Sequence, residues 1–517
     1  MAILTRPAPD GARARGGATR RPRGPRPPVF GAIGWTVLGV GLVALLLPLA
    51  VIEPTLPVLA GGGLVLLGVA FYRPRAFALI ALLTIVLSVP LQSLLGPVGR
   101  NADEIVILLS VVAFTVRRFI TDRRLVWFPG WPFFLVFVLA GLVSAYVNHA
   151  PAGVAIEGLL LAVKGLLFAF ALAQVEWRDG DLRTLVKWGI GAIIVLVFCA
   201  VGNIAAPVPW TMTFSGRPPV DYYGGIPSLS GPFQHPAAFG RFCAALAIAV
   251  FVYRFVVRRS FGNTVLLLLT GVMALLTFRV KSLVGLIVSL GLLGLRFAKP
   301  VLIFIVLCLG PVVALFVVPP IIAFVGADVD TYIVSDSARS TLTYGSLDVA
   351  ANYFPLGAGF GRYGSFTASV NYSPEYAMRG FEHVYGLGRE EKGQFLNDTQ
   401  WPAIWGETGW LGAAAFVIGI VLVFLSLMRP TSAAEAPLVR WLRLSGIGWL
   451  VLILVESIAA PVFGSAPAYP FAFAAAGVIA SIRYANARAA EPADAAAGGA
   501  DDDGDRTAEV PAAAGAA

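Results

Sequence analysis

NDTQWPAIWGETGWLGAAAFVIGIVLVFLSL occupies residues 397–427. From Trp401 onward the run is long enough for a helix that crosses a bilayer, which takes ~20 largely apolar residues. Its only ionisable side chains are Asp398 and Glu407, both at its head. A carboxylate beside hydrocarbon is costly unless it is paired, hydrated or used. Pro402 suits the first turn of a helix, which leaves Asp398 in the cap. On a continuous helix nine residues rise about 13.5 Å, so Asp398 and Glu407 cannot act as a close pair on one substrate atom and need separate roles.

Similar runs recur between Gly31 and Ile482. Of the 517 residues, 58% are hydrophobic and only 13% charged, with a mean hydropathy of +0.80. A water-soluble protein of this length does not have that composition. The runs are too long, and alternate too little, for a transmembrane barrel. The expected fold is all-α: a polytopic integral membrane protein of about 12–14 transmembrane helices, with a large extracytoplasmic loop between late helices. Candidate helices are 34–52, 56–72, 76–95, 104–117, 127–147, 154–173, 184–203, 237–255, 262–278, 282–296, 300–323, 401–427, 441–459 and 464–484. The first two are parted only by Glu53-Pro54 and could form one re-entrant feature.

Basic residues orient the chain, because cytoplasmic turns carry an excess of Lys and Arg. Alternate turns hold Arg73 and Arg75; Arg117, Arg118, Arg123 and Arg124; Arg178, Arg183 and Lys187; Arg254, Arg258 and Arg259; Arg296 and Lys299; Arg429 and Arg440. The opposite turns before Phe278 carry little beyond Arg100 and Arg217. Both termini are therefore expected inside: residues 1–30 as a disordered basic arm and 486–517 as a disordered acidic tail, flanking a helical domain over 31–485. The first apolar run reads as a span rather than a cleaved signal. Two extracytoplasmic segments, 204–236 and 325–400, exceed simple turns; connections of that length are functional or disordered, and the mix of Tyr, Phe and Leu with charges in the longer one argues against disorder.

The net charge of +9 is spread over these turns and forms no basic face with interleaved aromatics, so nucleic acid is not an expected partner. Cys199, Cys243 and Cys308 lie in apolar runs without metal-ligand spacing and read as buried small side chains. There is no phosphate loop and no HExxH. Asp328-Val329-Asp330 comes nearest to a metal motif but reads as a solvated loop start, so neither metal nor cofactor is expected.

Several residues could carry chemistry. Arg279 and Lys281, in LLTFRVKSLVGL, oppose the charge bias and need a compensating anion; a membrane-anchored diphosphate would supply it, although snorkelling would also account for them. Arg339 opens an amphipathic stretch that ends at Phe354-Pro355, before the turn glycines Gly357, Gly359 and Gly361, which permit close backbone approach. His235 lies at the mouth of a helix, where it could transfer a proton or simply pack.

In order, SGPFQHPAAFG, the basic LTFRVKS turn, Arg339 ahead of FPLGAGFGRYG, and NDTQWPAIWGETGWLG resemble the O-antigen ligase and polymerase family of bacterial membrane glycan transferases, over roughly Pro227 to Ile420. The resemblance implies a multi-pass protein of the bacterial cytoplasmic (inner) membrane. It would transfer or polymerise glycan from an undecaprenyl-diphosphate-linked donor to a glycan or glycolipid acceptor at the outer face, inverting configuration without metal. Membrane lipids, and polysaccharide-assembly proteins, are the other expected partners. By the same resemblance Arg339, with Arg279 and Lys281, binds the diphosphate, and Asp398, Glu407 and His235 are the candidate bases, in that order. Asp398 stands where lipopolysaccharide ligases have histidine, which favours a polymerase over a ligase with a lipid acceptor. A transporter or flippase of lipid-linked glycans, or a noncatalytic scaffold, is the alternative.

Overall fold

The computed structural model describes residues 55–88, 90–92, 99, 101–219, 221–223, 225–297, 338–390 and 395–498. The basic arm, the expected helices 34–52 and 300–323, Arg100, Cys308, Asp328-Val329-Asp330 and residues 499–517 lie outside these. Two units divide the chain, Met1–Leu64 and Val65–Ala517; of the first only 55–64 are described, all of them helical.

Apart from one two-residue hairpin, the described regular structure is helical: α1 Thr55–Tyr72, α2 Pro74–Val86, α3 Ala102–Asp122, α4 Trp131–Val147, α5 Ala152–Ala173, α6 Asp179–Ala205, α7 Pro207–Ser215, α8 Pro236–Val256, α9 Phe261–Leu275, α10 Val280–Phe297, α11 Ala338–Asn352, α12 Phe366–Asn371, α13 Pro374–Met378, α14 Trp401–Met428, α15 Pro437–Ser457 and α16 Tyr469–Gly498. Among the described residues six of these, α5, α6, α8, α10, α14 and α15, are long and apolar enough to cross a membrane, and α2, α4, α9 and part of α1 are shorter apolar helices. This is a multi-pass, all-α membrane protein with large helical loops between its spans. Outward-facing apolar side chains say the same: Ile194, Val195, Phe198 and Val201 of α6 are all exposed, a pattern suited to lipid.

Lipid tails are as apolar as leucine, so association of the spans rests on close packing and on hydrogen bonds between helices. In Val65–Ala517, α14 packs on α4, α16 on α5, and α8 on α9, α10 and α15. Phe134 and Phe416 meet edge to face with ring centres 5.8 Å apart, and Phe134 meets Phe473 at 5.6 Å. Cys199 and Cys243 are buried. Helix α3 runs five residues past the expected end at 117: Arg118 pairs with Asp122 one turn on at 3.0 Å and with Glu176 at 3.4 Å, and the helix stops where Arg123 turns left-handed (φ 55°). The last helix continues to Gly498, beyond position 486, where the sequence suggests a tail begins.

Residues 338–390 and 395–400 form a partly helical cap with a core of its own around Leu342, Val349, Tyr363, Tyr376 and Phe381. The Tyr376 hydroxyl accepts from Gly364 N at 2.8 Å. Glu375 sits at the centre of the polar part: Arg379 Nη1 is 2.7 Å and Arg362 Nη2 3.7 Å from its carboxylate, and Tyr353 Oη donates to it at 2.8 Å. Burial, then the neighbouring carboxylate, raises the Tyr353 phenol above its ordinary range. Replacing one partner of such a buried pair leaves the other charge uncompensated. Glu375→Ala is expected to cost about 3 kcal/mol, read as a lower melting temperature of the detergent-solubilised protein; an unshifted melt would contradict this account of the cap.

Candidate functional site

The helix that carries the opening stretch is broken. Inside α14, Gly409 takes φ 65° and ψ −165°, a conformation that L-residues with side chains rarely adopt. A Cβ there would lie 2.0 Å from Leu356 O. What occupies the space is backbone: residues 355–359 run alongside the break. Ala358 N donates to Gly406 O at 2.8 Å, Gly359 N to Glu407 O at 2.9 Å, and Leu411 N to Pro355 O at 3.1 Å. A regular helix would pair Glu407 O with Leu411 N; here the passing strand accepts from one and donates to the other. The strand is held on its other side by α4, where Ser144 Oγ accepts from Gly357 N at 3.1 Å and Asn148 Nδ2 donates to Gly357 O at 2.9 Å. Gly359 (φ +99°) has no room for a side chain, since a Cβ would meet Ala145 Cα at 2.4 Å.

Glu407, buried in this break, accepts from Ser365 Oγ at 2.5 Å and from Tyr363 N at 3.4 Å. Gly357, Gly359 and Gly361 thus belong with Glu407. The remaining candidates gather elsewhere.

At the end of the helices that carries the starts of α8, α10 and α14, four segments converge. The first is 221–235, pinned to α6 by Asn203 Oδ1, which accepts from Ser230 N at 2.9 Å and Gly231 N at 3.2 Å. It is tied to the end of α9 by Leu229 N donating to Leu276 O at 3.1 Å. Asp221 consequently meets Arg279, Nη2 to Oδ2, at 2.5 Å. The second segment, 279–282, carries Lys281, whose Nζ donates to Ala459 O at 2.7 Å, and Ser282, whose Oγ donates to Glu456 Oε1 at 2.6 Å. The third is 397–401: Gln400 N donates to Ser457 O at 3.1 Å and Trp401 Nε1 to Ser457 Oγ at 3.0 Å. That brings Asp398 to the fourth, the start of α11, where Arg339 Nε (3.1 Å) and Nη2 (2.5 Å) both donate to Asp398 Oδ2. The two side chains keep 26% and 31% of their surface accessible, so solvent reaches this pair.

Lys281 is the hub. It lies within electrostatic reach of Arg241, Glu456, Asp398 and Arg339, and His235 within reach of Arg279, Lys281, Asp221 and Asp398. Arg241 in α8 is paired with Glu456 in α15, both buried. Among the described residues four cations (Arg241, Arg279, Lys281, Arg339) therefore face three carboxylates (Asp221, Asp398, Glu456) at one end of the spans. Arg279 Nε is buried with no hydrogen-bond partner among the described residues.

His235 caps α8, its Nδ1 accepting from Ala237 N at 3.1 Å. That commits one ring nitrogen as acceptor, so the ring is neutral with its proton on Nε2. Although the side chain is exposed at its edge, the surrounding protein bulk, then the charges of Arg279 and Lys281, press its pKa from 6.5 down to about 4. The neutral ring is favoured by folding, so its contribution to stability is complete above about pH 6.5 and is lost as the pH falls towards 4.

Sequence reasoning missed Arg241, Glu456, Asp221 and a second buried cluster, in which Lys164 Nζ reaches Asp103 and Glu104, each at 3.0 Å, and Tyr469 Oη donates to Asp103 at 3.1 Å. The available signal was a charge inside an apolar run, as in AFGRFCAAL and LILVESIAA. Among the described residues no three His, Cys, Asp or Glu side chains are grouped to hold a metal ion.

Two outcomes check this geometry. His235→Asn retains a capping oxygen and is expected to melt like wild type, whereas His235→Ala should lose about 1 kcal/mol. Glu456→Gln strands a buried guanidinium and should cost about 3 kcal/mol or more, with Arg241→Met/Glu456→Leu restoring most of the loss in the same thermal melt. Neither a protein-family model nor a curated protein matches this chain.

Proposed function

We propose that this protein is a membrane glycosyltransferase of the O-antigen ligase and polymerase type, acting on a polyprenyl-diphosphate-linked glycan such as an undecaprenyl-diphosphate donor. The observation that carries the reading is the gathering of Arg241, Arg279 and Arg339 around Lys281, with a carboxylate, Asp398, lying against Arg339. A diphosphate at headgroup depth needs fixed cations, and a guanidinium recognises phosphate oxygens through paired hydrogen bonds. Arg279 Nε, buried and unpartnered among the described residues, supports the same ligand. Arginine-rich turns at 117–124, 254–259 and 429–443 lie at the other ends of the spans, which supports a cluster at the outer leaflet of the cytoplasmic membrane with the termini inside.

In the reaction an acceptor hydroxyl attacks the anomeric carbon. A carbon–oxygen bond forms on one face while the bond to the diphosphate breaks on the other, inverting configuration. The electron pair leaves on the diphosphate oxygen, where Arg339, Lys281 and Arg279 stabilise the developing charge. The hydroxyl proton passes to Asp398, once the diphosphate has taken Arg339 from it. Glu407 is turned towards Ser365 and the Gly361–Tyr363 backbone, a setting that suits anchoring the cap. His235 spends its free lone pair on the helix cap. These placements rank Asp398 first as the base.

The broken helix α14 and the buried Lys164–Asp103–Glu104 cluster favour a second reading, transport of such lipids, since transporters use interrupted spans and intramembrane charges. The experiment that separates the two supplies purified protein with a polyprenyl-diphosphate glycan and an acceptor glycan. Transfer gives a longer product; transport gives none. Arg339→Gln and Asp398→Asn are each expected to lower turnover by more than about 100-fold, a loss on the scale of removing one transition-state donor or a general base, at unchanged abundance and melting temperature. Chelation of divalent metal should leave turnover unaltered. Wild-type turnover in Asp398→Asn would remove it as the base.

A further inference from the structure

Asn397 and Thr399 flank Asp398, yet they line a different space. A cavity of about 200 Å³ lies between α4, α5, α14 and residues 461–465, and Asn397, Thr399, Ser365 and Glu407 are part of its wall. It offers room for several waters at about 30 Å³ each, or for one sugar ring. Thr399 is only 4% exposed, and its hydroxyl meets no hydrogen-bond partner among the described residues. Phe137, Phe366 and Phe416 supply flat apolar walls. Rings for the face of a ligand, with a few placed hydrogen-bonding groups for its edge, are what a pocket for a hydroxylated ring needs. The lining holds no Lys or Arg among the described residues, and its single ionisable side chain is Glu407. A phosphate would find no cation in this wall, in contrast to the Lys281 cluster on the far side of the same segment.

We infer that this cavity binds a neutral sugar residue of the acceptor, with Thr399 Oγ1 and Glu407 hydrogen-bonding its hydroxyls. The inference rests on the transfer reading for the word acceptor, and on the cavity alone for the sugar. Segment 397–400 is then a shared wall: Asp398 faces the donor's diphosphate cluster, and its two neighbours hold the ring that supplies the nucleophile.

The test uses full-length protein in detergent and, as probe, the lipid-free oligosaccharide that mild acid releases from the cells' own polyprenyl-diphosphate glycans. Thr399→Val keeps the volume and removes the hydroxyl, Ala403→Leu fills the cavity, and Thr399→Ser retains the hydroxyl. Titrated by tryptophan fluorescence, wild type should bind the probe saturably. Thr399→Val and Ala403→Leu should bind it at least 10-fold more weakly, and Thr399→Ser as wild type does. Melting temperature serves as the check on folding, and should Ala403→Leu fail it the near-isosteric Thr399→Val decides. In the transfer assay the same variants should raise acceptor KM at least 10-fold and leave donor KM and kcat within about 2-fold. Absence of saturable binding, or equal binding by Thr399→Val, overturns the site and marks the cavity as a water pocket. Wild type that binds the probe but joins nothing ends the transfer reading and keeps the site. Transfer with unchanged acceptor KM in the variants does the reverse.

Discussion

A backbone group in hydrocarbon cannot fall back on water, so every break in a spanning helix must be repaired by other protein atoms. Here the break at Gly409 is repaired by residues 355–359, through hydrogen bonds of 2.8, 2.9 and 3.1 Å. Most of what positions the site follows from that repair. It docks the cap on α14, draws Glu407 into the turn at Gly361–Ser365, and holds the cap above the start of α14, where Arg339 meets Asp398. The glycines at 357, 359 and 409 are there because backbone passes backbone too closely for a Cβ.

The charge cluster is built on a different principle. Its members come from the ends of spans, where each element can be anchored in apolar packing and still present a polar terminus. Pairing Arg241 with Glu456 contributes little net stability against the desolvation both groups suffer. It does set a fixed charge beneath Lys281, which is held in turn by the carbonyl of Ala459. Segment 397–400, fastened at Ser457, separates this cluster from the cavity beside Thr399.

Much of the architecture is legible from hydropathy alone, because lipid tolerates little besides long apolar helices; α5, α8, α10, α14 and α15 lie close to where the runs place them. Helix ends were less legible. Arg117 and Arg118 read as a turn, but Arg118 finds Asp122 and Glu176 and the helix continues. Within the site, His235, Arg279, Lys281, Arg339 and Asp398 do come together, since each breaks an apolar or loop pattern in a way sequence can register. What sequence could not register is pairing across the fold. Asp221 looks like an ordinary loop acid until the hairpin carries it to Arg279, 58 residues on. Glu407 reads as a candidate base, and it finds a hydroxyl and a peptide N–H. Thr399 carries no pattern at all; only the cavity beside it gives it meaning.

The repair of α14 also bears on how the chain is made. Synthesis runs from the N-terminus, so α4 and the 355–359 strand exist before α14 does. Ser144 and Asn148 can hold Gly357 while the three strand groups that pair with α14 (Pro355 O, Ala358 N and Gly359 N) are still open. The newly inserted α14, with its ladder interrupted, then meets a partner already in place. Assembly of this region is thereby ordered in time, with the cap strand serving as the template on which the broken α14 closes.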